Sequence, residues 1–309
     1  MNETWNDLST TTRQYLAGVE DAVLRDTPAA TAARITALVS EQESLRRGRC
    51  LNLNAAESTI SYAARHLLDS DLATRVSEGP PGDRIFPIGH QNRYVDEIEG
   101  IIIAQARRLF RAEFVEWRAT STTMANTVAL FALAKPGDTL LVQSMEGGAN
   151  MSYHEGAVPT LRGLTVYDMP IAGDAFEVDI EGVRRAAVAL HPALLIVGGS
   201  YVLFPYPVRE LRAIADEVGA LLLYDAAHVA QLIAAGLFQD PLAEGAHLMT
   251  MSTHKIMGGP VGGLVVTNDA GIAAHLWRIP FPPLMQTRDQ NKYAATAYAL
   301  TEMVASRKS

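Results

Sequence analysis

The sequence predicts an α/β protein, with a mostly parallel sheet covered by helices on both faces and a helical arm in front of it. Three observations carry this. Six short apolar runs lie between residues 139 and 267, and helical patterns separate several of them. Continuous apolar runs, as opposed to alternating ones, mark strands buried on both faces, as parallel strands are. The first 48 residues place their apolar side chains at helical spacing instead. With 309 residues, 48% hydrophobic and 19% charged, the chain is long enough for one large buried core.

The elements follow in order. Tyr15, Leu16, Val19, Ala22 and Val23 recur at helical spacing until Asp26-Thr27-Pro28 breaks the run. A second helix carries Ile35, Leu38 and Val39 and ends near Arg46-Arg47-Gly48, where cations and glycine suit a C-terminus. Residues 1–48 are assigned to the arm, 49–290 to a large domain and 291–309 to the start of a connecting helix. Residues 77–93, rich in Gly and Pro, predict a long irregular segment whose aromatic and apolar content argues for order. One helix is expected from Val95 to about Arg111, another after Ser121-Thr122-Thr123. The predicted strands are 139–143, 164–169, 193–199, 220–225, 247–252 and 263–267. Helices are expected over DIEGVRRAAVAL and VRELRAIADEVG, and a last one over Asn291–Met303.

Composition removes several classes of function. The net charge is -8 with no clustered basic run, which excludes a nucleic-acid surface. The single cysteine, Cys50, excludes a disulfide within the chain and a multi-thiolate zinc site; a packed thiol is expected there. MNETWNDLST lacks the basic and apolar blocks of a signal peptide. No apolar stretch reaches the roughly 18 residues of a membrane helix. No membrane partner and a cytoplasmic location are expected.

Ligands of open α/β sheets bind at the carboxyl ends of the strands. Asp225 ends one predicted strand, with His228 three residues on. Ser252 ends the next, followed by Thr253, His254, Lys255 and a glycine-rich loop. Taken alone, each is ordinary: a solvated lysine, a capping aspartate, a plain N-cap, structural histidines. Asp225, His228 and His254 are of metal-binding types, but nothing completes a shell and no metal is expected. Together they point to a pyridoxal-phosphate site. A partly desolvated lysine is a nucleophilic amine, an aspartate holds the proton on a pyridine nitrogen, and a hydroxyl-rich helix start cradles a phosphate.

Residues 224–263, YDAAHVAQLIAAGLFQDPLAEGAHLMTMSTHKIMGGPVGG, resemble the aspartate–His–Val–Ala block and the Thr–His–Lys–x–x–x–Gly–Pro–x–Gly–Gly motif of serine hydroxymethyltransferase. A weaker likeness runs from about residue 50 to 300 and takes in SEGPPGDR, RYVDEIE, residues 121–126 and the VGGS ending at Ser200. The resemblance implies the large domain of a fold-type-I enzyme and a pyridoxal-phosphate-dependent transferase or aldolase. Its substrate would be a small β-hydroxy α-amino acid. It implies that Lys255 bonds covalently to the cofactor, Asp225 pairs with the ring nitrogen and His228 contacts the ring hydroxyl. Ser121, Thr122 and Thr123 would hold the phosphate. Ser200 would lie near the cofactor or the substrate carboxylate, Ser252 would belong to the cofactor-binding set, and His254 would shape the site. Glu78 falls where the family has its acid/base glutamate, on a loop given to the neighbouring subunit's site.

Departures from the family pattern carry their own implications. Val76, Ile85 and Phe86 replace tyrosines that help bind substrate and folate, which counts against tetrahydrofolate. Gly147-Gly148-Ala149 stands where a histidine stacks on the ring, with Tyr153 and His154 nearby to substitute. Val261 replaces an arginine, and Phe281-Pro282-Pro283-Leu284 replaces a glycine-rich phosphate loop. The family's C-terminal domain and its carboxylate-binding arginine are not in the sequence. A homo-oligomer is expected, or a hetero-oligomer in which a separate chain supplies that half. The alternative is a non-catalytic or regulatory subunit keeping the fold, which the retained Asp225, His228 and Lys255 oppose.

Overall fold

The computed structural model describes residues 8–85, 92–173 and 177–306. It divides into two compact units, Met1–Asn54 and Ala55–Ser309. The first holds α1 (Thr10–Arg25) and α2 (Pro28–Glu43), followed by a π-helical turn over Ser44–Arg49. Ser9 and Thr27 cap the two helices by accepting from Thr12 N and Ala30 N. Pro28 sits at the first helical position, where its missing N–H costs nothing. No residue of either helix is buried. Cys50 is exposed, which overturns the expected packed thiol: it follows the last turn of a unit with no core of its own to receive it.

The second unit is the sheet domain. Its strands are β1 (Phe114–Glu116), β2 (Thr139–Gln143), β3 (Thr165–Met169), β4 (Ile171–Ala172), β5 (Glu177–Val178), β6 (Leu194–Gly198), β7 (Leu221–Asp225), β8 (Leu248–Ser252) and β9 (Gly263–Thr267). Its helices are α3 (Tyr62–His66), α4 (Arg93–Phe110), α5 (Thr122–Leu133), α6 (Val158–Arg162), α7 (Ile180–Leu190), α8 (Val208–Val218), α9 (Ala230–Ala235), α10 (Pro241–Glu244), α11 (Ala270–Arg278) and α12 (Gln290–Ser306). Seven strands form one sheet in the order β1-β9-β8-β7-β6-β2-β3. β3, β2, β6, β7 and β8 run parallel, and β9 is antiparallel to both of its neighbours. β4 and β5 make a separate small hairpin.

Alternation along the buried strands divides the core between the two faces. Leu195, Val197, Leu222, Tyr224 and Met249 pack with one set of helices, while Leu194, Ile196, Leu223 and Leu248 pack with α5 and α11. The register sets Gly198 opposite Asp225 and Asp225 opposite Thr250. The carboxyl ends of β6, β7 and β8 are therefore level, and that edge carries the candidate site. Residues 77–85 form the irregular segment. Arg84, buried, fixes it by donating to Gly79 O at 2.6 Å and pairing with Asp96 and Glu99 of α4 at 2.6 and 2.9 Å. Phe86 lies outside the described residues. Among the described residues no helix is long and apolar enough to cross a membrane.

Candidate active site at the carboxyl edge of the sheet

Asp225 is the last residue of β7 and is fully buried. Its Oδ1 accepts from Ala227 N at 2.9 Å, while Oδ2 has no hydrogen-bond partner. Burial pushes this carboxyl up; the Ala227 N–H and the Lys255 charge pull it down by less. Gly198, at the same level of β6, has φ +97°, and a Cβ there would fall 2.2 Å from Asp225 O. Only glycine lets β6 and β7 close together at this point.

Lys255 lies just past β8, 7% exposed. Burial lowers its amine, and the nearby Asp225 opposes the shift. Its Nζ is 2.9 Å from His228 Nε2. His228 is pushed down to about 4, first by burial and then by Lys255 and His254. The imidazole is therefore neutral near pH 7, and its Nε2 accepts from the lysine. His254 Nδ1 meets Ser252 Oγ at 2.9 Å, and burial also lowers this histidine. The loop beyond folds back tightly: Gly259 N donates to Thr253 O at 2.7 Å, and a Cβ on Gly259 would come within 2.8 Å of that oxygen.

The start of α5 comes to the same edge because β9 passes against it. A Cβ on Gly263 would sit 2.6 Å from Ser121 O. Ser121 Oγ caps the helix by accepting from Met124 N at 3.1 Å. Thr122 is buried with Oγ1 unpartnered, and Thr123 is exposed. Asn126, one turn on, is fully buried; it donates to Ser152 Oγ at 2.9 Å and leaves Oδ1 unpartnered. Ser200 N donates to Gly148 O at 2.9 Å, and Asn150 Nδ2 reaches Ser200 Oγ at 3.4 Å.

The structure thus brings Asp225, His228, Ser252, His254 and Lys255 together, and sets Ser121 and Thr122 beside the strand that follows them. Of the two proposed ring substitutes, Tyr153 is fully buried with its hydroxyl 3.0 Å from Thr250 Oγ1, and it interacts electrostatically with Asp225. His154 Nδ1 lies 3.5 Å from Asp168 on β3. Glu78 is half-buried in its segment, and among the described residues no hydrogen bond or ion pair joins it to Lys255. Sequence reasoning missed Asn126 and Asn150. Asn126 was within reach, since Thr122 and Asn126 stand four apart and share one helix face. The unpartnered Asp225 Oδ2 needs a donor, and the first turn of α5 offers N–H groups and a hydroxyl to an anion.

A mostly parallel sheet with a buried aspartate and a buried lysine on adjacent strand ends, and a hydroxyl-bearing helix start beside them, is the large domain of the fold-type-I class. A family model described as serine hydroxymethyltransferase matches residues 30–275, and the chain belongs to that family. It is 37% identical over 289 residues to an alpha-methylserine aldolase of Ralstonia sp, covering 94% of this chain and 65% of the relative. It is 37% identical over 282 residues to an alpha-methylserine aldolase of Variovorax paradoxus, covering 91% and 63%. It is 39% identical over 254 residues to a serine hydroxymethyltransferase of Methanopyrus kandleri, covering 82% and 58%. The chain therefore spans 58% to 65% of the length of these relatives.

Proposed function

We propose that the protein is a pyridoxal-phosphate enzyme that cleaves or forms the Cα–Cβ bond of a small β-hydroxy α-amino acid. The observation that carries this is the buried, unpartnered Oδ2 of Asp225 on the strand next to the partly desolvated Lys255. When bound, the cofactor supplies an electron sink for charge developing at Cα of the amino acid. Asp225 is placed to hold a proton on the ring nitrogen, and Lys255 is the nucleophilic amine that anchors the ring. His228, neutral, accepts a hydrogen bond from Lys255 Nζ and keeps that amine oriented. Thr122, with Ser121 and Thr123, holds the phosphate against the α5 N-terminus. Ser200, held against Gly148 and Asn150, and His254, held by Ser252, shape the substrate side. Glu78 moves protons from the neighbouring subunit of an oligomer.

We take the substrate to be an α-methyl-β-hydroxy amino acid such as α-methylserine, cleaved without tetrahydrofolate; the relatives named alpha-methylserine aldolase support that substrate, beside others named serine hydroxymethyltransferase. The apolar Val76 and Ile85 support that choice over folate use. The test is the absorbance of purified protein titrated with pyridoxal phosphate, followed by assay of formaldehyde released from α-methylserine and from serine. A visible-range band that Lys255→Ala abolishes is expected, with aldehyde release that needs no folate. A band that survives Lys255→Ala would overturn the reading. Cofactor binding without any release would instead favour a non-catalytic subunit, to which Gly147-Gly148-Ala149 in place of the stacking histidine points.

A further inference from the structure

Arg288 lies just before α12 with its guanidinium buried, and no carboxylate is within ion-pair distance among the described residues. Asp289 is taken by Lys292 at 2.7 Å, and Glu99 by Arg84 at 2.9 Å. Nη2 donates to Ser77 O at 2.8 Å and Gly79 O at 3.3 Å, the carbonyls on either side of Glu78. Nε and Nη1 have no partner. The Ser77 hydroxyl, the Tyr293 hydroxyl and, two residues along the chain, both amide atoms of Gln290 are also unpartnered. These four residues are between 2% and 8% exposed, and the Tyr293 ring centroid is 5.9 Å from Arg288 Cζ.

A buried guanidinium without a counter-charge is costly, and so are buried polar groups without partners. Here every unpartnered atom except Gln290 Oε1 donates a hydrogen bond. Glu99 and Glu116 also act on Tyr293, but each is paired, with Arg84 and Arg118 respectively; a donor-rich set around a cation with no ion-pair partner suits a group with negative charge and several lone pairs. We propose that Arg288, with Ser77, Gln290 and Tyr293, binds a small oxyanion, a carboxylate or a phosphate. The site stands on residues that the proposed reaction does not use. Because Arg288 also holds both carbonyls flanking Glu78, occupancy of the site secures the segment that carries that carboxylate.

The test is thermal unfolding of the full chain in sodium acetate, in inorganic phosphate and in sodium chloride at matched ionic strength. A saturable rise in Tm with acetate, phosphate or both, absent with chloride, is expected, and the two arms distinguish the sources. Arg288→Gln raises the half-saturating concentration about tenfold or more, as losing a charged hydrogen-bond donor does. Tyr293→Phe, which removes one hydroxyl and keeps the ring, gives a smaller increase in the same direction and covers the case in which Arg288→Gln does not fold. Thr122→Val separates this site from the α5 N-terminus. A response lost in Thr122→Val but intact in Arg288→Gln and Tyr293→Phe belongs to the cofactor site and overturns the proposal. The absence of any saturable rise in the wild-type chain, as water alone in the cluster would give, also overturns it.

Discussion

Lys255 and Asp225 influence each other's protonation, and that coupling can be measured. The lysine condenses with an aldehyde only as a neutral amine. Its pKa is lowered by burial, so cofactor uptake rises with pH through a midpoint below 10.5, followed by stopped-flow absorbance. Asp225 alone opposes that shift. Asp225→Asn therefore moves the midpoint lower still, and a midpoint that moved up would contradict the arrangement. His228 makes a second test. Its folded value of about 4 lies below the ordinary 6.5, so between these the unfolded chain binds more protons. Stability then falls as pH drops from 6.5 towards 4. His247 and His254 are lowered by burial and act in the same direction. Asp225, raised from 3.8, acts with the opposite sign, favouring the fold as pH falls. His228→Gln should flatten the slope without removing it, read from urea midpoints at pH 4.5 and 6.5. Asp225, His228, His254 and Lys255 were legible in the sequence because each lies at the end of an apolar strand run or within three residues past it. Arg288 was not: its significance depends on Ser77 lying beside it across 211 positions of chain, a proximity that no local pattern encodes.

Among the elements, the parallel strands were the most legible part of the fold. A strand buried on both faces leaves a plain apolar run, and each of the six predicted runs became a strand within one residue of its expected limits at either end. β1, β4 and β5 escaped because two or three residues carry no period. The strand ends also separate two kinds of glycine. Gly198 and Gly219 both have positive φ, but a Cβ on Gly198 would meet Asp225 O at 2.2 Å, whereas one on Gly219 would meet nothing within 4 Å. Gly219→Ala bears only the backbone cost of a left-handed alanine, about 1 kcal/mol. Gly198→Ala adds a clash that pushes β6 from β7, for about 2 kcal/mol or more in total. Urea unfolding of the two variants measures the difference. Because Gly198 faces the backbone of Asp225, its substitution should also weaken cofactor affinity, while Gly219→Ala should leave it unchanged.

The contrast between the two units is a property of the whole molecule. In the sheet domain β6, β8 and β9 are buried at every position, and helices cover both faces. Opening any central strand therefore exposes the core, so these amides exchange only by global unfolding. α1 and α2 are each 16 residues long, bury no residue and leave Tyr15, Leu24, Ile35, Leu38 and Val39 exposed. Helices of that length are marginal in water without tertiary packing, even in sequences rich in alanine. Their caps at Ser9 and Thr27 contribute about 1 kcal/mol each, too little to hold a helix closed through many opening events. Hydrogen exchange on the monomeric chain should thus show α1 and α2 exchanging orders of magnitude faster than β6, β7 and β8. Raising the protein concentration discriminates further: protection that appears in the helices as the chain self-associates would show that a second copy covers their apolar stripe. Slow exchange in α1 and α2 at high dilution would mean that the stripe is already covered within one chain, and the two-level stability argued from burial would fail.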